Sequence, residues 1–318
     1  MILKVAEIQT LANSLVSEIE RCVLGKHDII EKAVITLLCN GHLLLEDIPG
    51  VGKTTTAKAL ARVIGGEFRR VQFTPDLLPA DVTGAAIYNP KENVFEFRPG
   101  PIFANVVLVD EINRATPKTQ SALLEAMEER QVSSDGVTRD LPRPCFIIAT
   151  QNNVEMTGTY PLPEAQLDRF FARLSLGYPD EASEQAMLAS RQTADPLESL
   201  RVITSPQQLM DIQKGIQEVH VSDPVRSYIV DLVRATREHA LILLGASPRG
   251  SIFLLRAAQA QAVLHGMDHV TPDHVKQVAT MTLGHRVIPR GEVRARGTTT
   301  DQIITQILDT VPTPIQVA

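Results

Sequence analysis

A glycine-rich turn is the first place in this sequence where residue types and spacing could do chemistry. The turn contains Gly50, Gly52, Lys53 and Thr54, and it stands between three leucines at 43–45 and a helical pattern. Glycines let a backbone wrap around phosphates, and a helix N-terminus presents N–H groups to an anion. The lysine can neutralise phosphate oxygens while the hydroxyl holds Mg²⁺. The context predicts a phosphate-binding loop, with an accidental Gly-Lys-Thr sequence as the alternative.

The first position of this loop departs from the usual pattern. In G-x-x-x-x-G-K-[ST] that position is glycine, whereas Asp47 occupies it here. Gly50 and Gly52 are therefore expected to supply the tight turns. Val51 and Thr55 complete the predicted nucleotide-binding stretch.

Two acids end a later apolar run. Residues 106–109 are followed by Asp110 and Glu111, and carboxylates at the carboxyl end of a buried parallel strand lie where such sheets bind ligands. Asp110 would join Thr54 in holding Mg²⁺, and Glu111 would orient and deprotonate an attacking water. Solvated acids at a strand end are the alternative, and the upstream loop favours the catalytic interpretation.

Three further side chains could reach a phosphate. Asn152 follows another apolar run, and its neutral amide can hydrogen-bond a water or a phosphate; an asparagine-rich turn is the alternative. Arg169 closes a short helical stretch, where it could pair with Asp168 or reach a phosphate across a subunit interface. Arg249 stands in the first turn of a helix, where the dipole disfavours a cation. A bound anion is expected beside it, unless the arginine is simply solvated.

An α/β core is needed to position these residues. Five short apolar runs alternate with helical patterns in the first half of the chain, which is typical of a parallel sheet. The runs lie at 43–45, 71–73, 106–109, 146–149 and 172–176. Two further segments predict β-hairpins, because 84–99 alternates about a polar turn and 131–141 contains Ser-Asp-Gly.

The second half of the chain reads as helical. Four times a capping residue precedes proline, which marks a helix start. These pairs are Ser205-Pro206, Asp223-Pro224, Ser247-Pro248 and Thr271-Pro272. Two apolar helix faces follow, one with Ile229, Leu232 and Val233 and the other with Ile252, Leu255, Ala258 and Ala262. We therefore expect an α/β domain over 1–180 and an all-α domain over 181–318.

Composition narrows the class of protein. The 318 residues carry a formal net charge of −6 and few aromatics, which argues against a nucleic-acid partner. The sequence contains no run of about 18 apolar residues, so it does not predict stable membrane insertion. Three widely spaced cysteines argue against a disulfide framework or a zinc site and favour a cytoplasmic protein.

Together these motifs resemble an AAA+ ATPase, and most closely the MoxR family. The resemblance rests on the amino-acid sequences of residues 109–129, 149–152 and 162–170. His285-Arg286 is similar to the end of the family's lid. It runs from about residue 23 to 285. It implies a P-loop core with a parallel five-stranded sheet and helix-two-insert hairpins, followed by a small all-α lid.

The resemblance also implies a role for each candidate residue, with ATP and Mg²⁺ as cofactors. Lys53 and Thr54 would form the first nucleotide motif, and Asp110 and Glu111 the second. Asn152 would be the sensor-one residue, Arg169 an arginine finger acting on the neighbouring subunit's ATP, and Arg249 the sensor-two arginine of the lid. Val23 and Leu24 match the segment that packs on the adenine.

The leading hypothesis is an ATP-hydrolysing, ring-forming motor of chaperone type. By resemblance, the homo-oligomer is expected to be hexameric, with the hairpins facing a central pore or a partner. A von Willebrand factor A-domain protein and a protein client are the expected partners. The alternatives are a slowly hydrolysing, nucleotide-gated scaffold and a motor like metal chelatases or helicases.

Overall fold

A computed structural model describes residues 4–152, 158–190, 192 and 195–314. Its strands are β1 (Leu43–Glu46), β2 (Phe68–Gln72), β3 (Gly84–Asn89), β4 (Val94–Pro99), β5 (Val106–Asp110), β6 (Gln131–Ser134), β7 (Val137–Asp140), β8 (Phe146–Gln151), β9 (Ala172–Leu174), β10 (Ile242–Leu244) and β11 (Ile288–Pro289). Its α-helices are α1 (Val5–Glu20), α2 (His27–Leu38), α3 (Lys53–Val63), α4 (Pro79–Thr83), α5 (Pro117–Glu129), α6 (Glu164–Leu167), α7 (Glu181–Ser190), α8 (Pro206–Gln217), α9 (Asp223–Glu238), α10 (Pro248–Leu264), α11 (Pro272–Leu283), α12 (Gly291–Ala295) and α13 (Thr300–Thr310).

The predicted five-stranded parallel sheet is confirmed. Its order is β2-β5-β8-β1-β9, and every neighbouring pair is parallel. Both faces of the sheet are covered: Leu43 and Leu45 join one apolar cluster, while Leu44 joins another on the opposite face. This two-sided burial explains why the central runs are apolar without alternation.

Parallel pairing brings the candidate site residues to one edge of the sheet. The glycine-rich turn follows β1, Asp110 ends β5, and Asn152 follows β8. Since β8 lies between β1 and β5, the carboxyl ends of these three strands are adjacent. Ligands bind at such an edge in open α/β sheets.

The helical second half agrees with its cap signals at three of four places. Ser205, Ser247 and Thr271 each immediately precede a helix that starts with proline. At the remaining place the cap is Ser222 and the helix begins at Asp223, one residue earlier than the sequence predicts.

One predicted helix face is partly wrong. Ile229, Leu232 and Val233 are buried as expected. Ile252, however, is 51% exposed, although Ala258 and Ala262 of the same expected face are fully buried. Ile252 lies near the start of α10, on a side of the helix that its neighbours leave exposed.

A short ribbon adds to the helices of this half. Strands β10 and β11 pair antiparallel, so the region is helical apart from this small two-stranded sheet. Among the described residues, no helix is long and apolar enough to cross a membrane.

Both predicted hairpins form. Strands β3 and β4 pair along their whole length, and β6 and β7 pair around a turn at Asp135 and Gly136. These two residues have φ of 54° and 75°, the left-handed values that a tight hairpin turn requires. The first hairpin exposes Tyr88 and Phe95, whose rings pack on each other 5.3 Å apart.

The two halves of the chain share one hydrophobic core. A continuous cluster of buried side chains includes Leu15 of α1, Leu60 of α3, Leu254 of α10 and Val278 of α11. Helix α1 packs against α2 and α3 and also against α8 and α10. The helical half is therefore held against the sheet by apolar burial and not by a linker alone.

Candidate functional site

A cleft at the carboxyl edge of the sheet collects most of the predicted site. We call it the loop cleft. It is lined by Pro49, Gly50, Gly52, Lys53, Thr54, Arg70, Gln72, Asp110, Glu111, Thr150 and Asn152. Seven of these residues were predicted from the sequence, and they come from three separate strand ends.

The glycine-rich turn has the backbone that a phosphate loop needs. Gly50 and Gly52 have φ of 85° and 97°, which other residues rarely adopt, and the space around both Cα atoms is open. Helix α3 begins at Lys53, so its first N–H groups face the cleft without helical partners. Lys53 donates from Nζ to the Asp47 carbonyl over 2.9 Å. Burial lowers the pKa of Lys53 from its ordinary 10.5, while the charge of Asp47 opposes the shift.

Asp47 at the first loop position is an anchor. Its carboxylate accepts N–H groups from Leu176 and, over 3.1 Å, from Gly177. Glycine could make neither bond. The carboxylate therefore ties the start of the loop to the segment that leaves β9 towards the helical half.

Asp110 is buried and held by two partners. Its Oδ2 pairs with Arg70 Nε at 2.6 Å, and its Oδ1 accepts the Thr150 hydroxyl at 3.3 Å. The same hydroxyl accepts the backbone N–H of Glu111 at 2.9 Å. Thr150 thus fixes the two acids relative to each other.

Glu111 adopts an unusual backbone and has two side-chain partners. Its φ is 54°, a left-handed value that is uncommon outside glycine and is found where a site imposes it. Its Oε2 accepts from Gln72 at 2.8 Å and from Arg114 at 3.0 Å. The carboxylate is therefore oriented at the mouth of the cleft.

The predicted arginines lie in a second cleft, which we call the arginine cleft. It includes Glu128, Asp168, Arg169, Ser247, Arg249 and Arg286, and shares no lining residue with the loop cleft. The alternative in which Arg169 pairs with Asp168 is wrong: Arg169 Nε pairs with Glu128 at 2.9 Å. Asp168 instead pairs with the buried Arg286 at 2.9 Å.

Arg249 has a carboxylate as its anion within the described chain. Its Nη2 pairs with Glu128, and Ser247 Oγ accepts its backbone N–H at 3.1 Å. The arginine was expected to stand beside a bound anion because it occupies the first turn of a helix. Glu128 accounts for that placement in this subunit, and the phosphate loop does not.

Comparison with known proteins places the chain in a family. Residues 42–172 match the ATPase family associated with various cellular activities (AAA), and residues 234–307 match an AAA lid domain. The Bacillus subtilis protein YeaC is 49% identical over 98% of this chain and 97% of its own. Chaperone MoxR1 of Mycobacterium tuberculosis is 38% identical over 97% of this chain and 84% of its own. The chain belongs to the MoxR family of AAA+ ATPases.

A solved structure agrees with this placement. A Cytophaga hutchinsonii protein assigned as an ATPase superposes with a TM-score of 0.90 at 39% identity, over 98% of this chain and 97% of its own. The AAA+ core, the lid and the nucleotide-binding character of this MoxR-family chain are thus established together.

Four lining residues of the loop cleft were not predicted as site residues: Pro49, Arg70, Gln72 and Thr150. Arg70 and Gln72 lie on β2 and contact Asp110 and Glu111. They are two positions apart, so they share one face of the strand. The signal available in the sequence was the presence of polar residues at alternate positions of a strand at the edge of the predicted sheet.

The remaining predicted residues of the nucleotide site do not line the loop cleft. Val23 is buried in the shared core and Leu24 is half-buried. The next residues contact the segment beyond β9, since Lys26 Nζ donates to the Tyr178 carbonyl at 2.7 Å. Val51 and Thr55 are half-buried beside the phosphate loop.

The oxygen donors of the loop cleft suit a hard cation. Thr54 offers a hydroxyl and Asp110 a buried carboxylate, and both line the same cleft. No three carboxylate, imidazole or thiol side chains gather into a metal cage in the described part of the chain. Mg²⁺ does not need such a cage, because it keeps several waters and binds through one or two protein oxygens and substrate phosphates.

Proposed function

We propose that this MoxR-family protein is an ATP-hydrolysing, ring-forming motor of chaperone type that remodels or matures protein clients. The observation that carries the proposal is the convergence of Lys53, Asp110 and Glu111 on one cleft from two strand ends. A phosphate-binding loop facing an acid pair is the arrangement that phosphoanhydride hydrolysis requires. The three cysteines form no disulfide within the described chain, which fits a location in the reducing cytoplasm.

In this proposal each residue of the loop cleft has a separate task. The N–H groups at the start of α3 and the Lys53 ammonium bind the phosphates of ATP. Glu111, oriented by Gln72 and Arg114, positions the attacking water and accepts its proton. Thr54 and Asp110 would hold Mg²⁺, which when bound neutralises phosphate charge.

Asn152 and the Val23–Leu24 segment complete the proposed site. The Asn152 amide, buried at the edge of the loop cleft, would hydrogen-bond the attacking water or the terminal phosphate. Val23 and Leu24 would pack against the adenine. The proposed division into a core at 1–180 and a lid at 181–318 puts all of these residues in the core.

The two arginines are proposed to act on the neighbouring subunit. Arg169 and Arg249 lie together outside their own loop cleft, so within one subunit neither is a lining group of that site. Joining subunits into a homo-oligomeric ring, which we propose to be hexameric, would bring them to the next subunit's ATP. A von Willebrand factor A-domain protein is the proposed partner that brings the client.

The experiment mixes subunits with complementary defects. Glu111→Gln keeps Arg169 but lacks the base, and Arg169→Ala keeps the base but lacks the finger. Each alone should lose at least about 100-fold in ATP turnover, since a base contributes 10²–10⁴ and a trans arginine 10³–10⁵. Mixed rings should recover turnover at the interfaces that combine an intact base with an intact arginine.

Arg296→Ala is the matched control, because this exposed arginine makes no side-chain hydrogen bond within the described residues. It should behave like the unmodified protein. Turnover that stays negligible at every protein concentration would favour the nucleotide-gated scaffold instead. Absence of recovery in the mixture would remove Arg169 from a role across the interface.

A further inference from the structure

One carboxylate holds both arginines of the arginine cleft. Glu128 stands near the end of α5, and its two oxygens are divided between two partners. Oε2 pairs with Arg169 Nε at 2.9 Å, and Oε1 accepts from Arg249 Nη2. Arg169 follows α6 of the core, whereas Arg249 is in the first turn of α10. Among the described residues, Glu128 is thus the carboxylate that pairs with both arginines.

The pairing leaves binding capacity on both guanidinium groups. A guanidinium has five N–H donors, and each arginine is paired with Glu128 through one nitrogen. Within the described chain, the Nη atoms of Arg169 have no other hydrogen-bond partner. Two positive charges against one negative charge also leave the trio with a net positive charge. The cluster can therefore accept an anion without first losing Glu128.

Glu128 also makes the close approach of two like charges possible. Two guanidinium groups on neighbouring segments repel each other. Because both side chains are partly exposed to solvent, they could move apart and so relieve the repulsion. A carboxylate between them opposes that separation and limits the rotamers of both. Preorganised donors bind a developing charge without the cost of assembling at the moment of reaction.

We propose that Glu128 is a positioning residue that presents Arg169 and Arg249 as one two-armed receptor for the phosphates of the neighbouring subunit's ATP. The inference rests on the proposed function, and it assigns a task to a side chain that does not line the loop cleft. Glu128, Arg169 and Arg249 are all about one-third exposed. Such exposed pairs add little to folding stability, so the effect of Glu128 belongs to turnover.

The test replaces the carboxylate by its neutral isostere. Glu128→Gln at assembly-favouring concentrations should lower ATP turnover roughly tenfold, the size expected for loss of a charge-assisted hydrogen bond. Its nucleotide affinity as an isolated subunit and its urea-unfolding midpoint should stay unchanged. Glu129→Gln is the matched control: it removes the same charge from the next position of α5, where the side chain is exposed and has no partner within the described chain.

Mixing experiments separate positioning from a general defect. Glu128→Gln mixed with Glu111→Gln should recover turnover, because the two lesions lie on opposite sides of an interface. Glu128→Gln mixed with Arg169→Ala should not recover, because both lesions lie on the arginine-donating side. The second mixture is the readout that a purely structural role would not reproduce.

Several outcomes would overturn the inference while leaving the proposed function intact. Glu128→Gln turnover equal to that of Glu129→Gln would remove the positioning role. Increased turnover would mean that Glu128 restrains the arginines instead of presenting them. Failure to recover with Glu111→Gln, while Arg169→Ala does recover with it, would place the effect of Glu128 in its own subunit. Failure of the Arg169→Ala and Glu111→Gln pair to recover would instead remove Arg169 from a role across the interface, the part of the proposed function on which this inference rests.

Discussion

Asp47 turns an apparent defect of the phosphate loop into a structural link. A glycine at this position would leave the N–H groups of Leu176 and Gly177 without the carboxylate that they contact. The Asp47 carbonyl also accepts the Lys53 ammonium, so one residue fixes both the loop and its lysine. The loop is thereby joined to the chain segment that leads into the lid.

Removing this carboxylate should destabilise the protein and loosen the loop. Asp47→Ala leaves two N–H groups unpaired in a buried position, so we expect a loss of about 2 kcal/mol in the free energy of unfolding. Asp47→Asn keeps one acceptor and should lose less. Urea unfolding measures both, and nucleotide titration should show weaker binding in the same order.

The control for this series is Asp231→Ala, since Asp231 is exposed on α9 and has no side-chain partner within the described chain. Wild-type stability in Asp47→Ala would show that the contacts to Leu176 and Gly177 contribute nothing measurable. Unchanged nucleotide affinity in Asp47→Ala would show that the Asp47 carboxylate does not determine the conformation of the phosphate loop.

At the same scale, the sequence was informative where chemistry is local. The phosphate loop and the acid pair are contiguous stretches, and each carries its own signal at a strand end. Arg70 and Gln72 were missed because their role depends on which strand lies beside β5 and on the register that places Gln72 opposite Asp110. The pairing of Arg169 with Glu128 was not predicted, because Glu128 is brought close only by tertiary packing.

Among the elements, α10 has a cap with two tasks. Ser247 Oγ accepts the backbone N–H of Arg249 at 3.1 Å and donates to Asp168 Oδ2 at 2.9 Å. The first bond caps the helix, and the second joins the lid to the core. Ser205 of α8 only caps, since its Oγ accepts from Gln208 at 3.2 Å.

These two serines form a matched pair for a stability experiment. Ser205→Ala should cost about 1 kcal/mol in the free energy of unfolding, the usual value for a lost N-cap. Ser247→Ala should cost about 2 kcal/mol, because it also loses a hydrogen bond to a carboxylate. Denaturant unfolding of the two variants gives the comparison. Equal losses would mean that the contact with Asp168 adds nothing to stability.

Helix starts were easier to predict than helix faces. A capping side chain acts within one turn, so three of the four predicted caps fell at the right residue, and the fourth lies at Ser222 instead of Asp223. Ile252 fits the apolar periodicity of α10 but lies in a turn that no neighbouring element covers completely. Periodicity predicts a face, whereas coverage depends on where the next helix ends.

For the whole molecule, buried histidines link stability to pH, and His42 and His285 are two of them. His42 accepts the Ile147 N–H at 3.1 Å and lies 3.1 Å from the Met127 carbonyl, which is the pattern of a neutral ring. Burial, helped by the charge of Arg130, lowers the pKa of His42 to about 3. His285 lies where the lid meets β9, and burial together with Arg286 lowers its pKa well below 6.5.

Stability should therefore fall as the pH drops below 6.5. The unfolded chain takes up protons on these histidines near their ordinary pKa, whereas the folded chain does not until the pH is far lower. Their contribution is complete above 6.5 and is lost as the pH falls from 6.5 towards the folded values. At pH 5.5 each should cost roughly 1.4 kcal/mol.

Urea unfolding at pH 7.5 and 5.5 measures this loss. His42→Gln should show a smaller difference between the two pH values than the unmodified protein does. His27→Gln is the control, because that ring is 67% exposed. An equal pH dependence in His42→Gln would assign the loss to other groups.

The overall architecture was predictable from the sequence because strands that are buried on both faces are apolar without alternation. Short connections between elements also leave few alternative topologies. The shared core was not predictable. Nothing in the pattern of α1 indicates that it packs on α8 and α10 as well as on α3. The contacts of the first helix with the last third of the chain exist only after both halves have folded.

The arginine cleft spans the junction between the core and the lid. Arg169 follows α6 of the core and Arg249 lies in the first turn of α10, so a rotation of the lid would change the spacing of the two guanidinium groups even if the loop cleft stayed still. In the proposed ring, a change in the shape of one subunit would then affect the nucleotide bound to the next subunit and not its own nucleotide. Around a closed ring, this effect of each subunit on the next would act in one direction only.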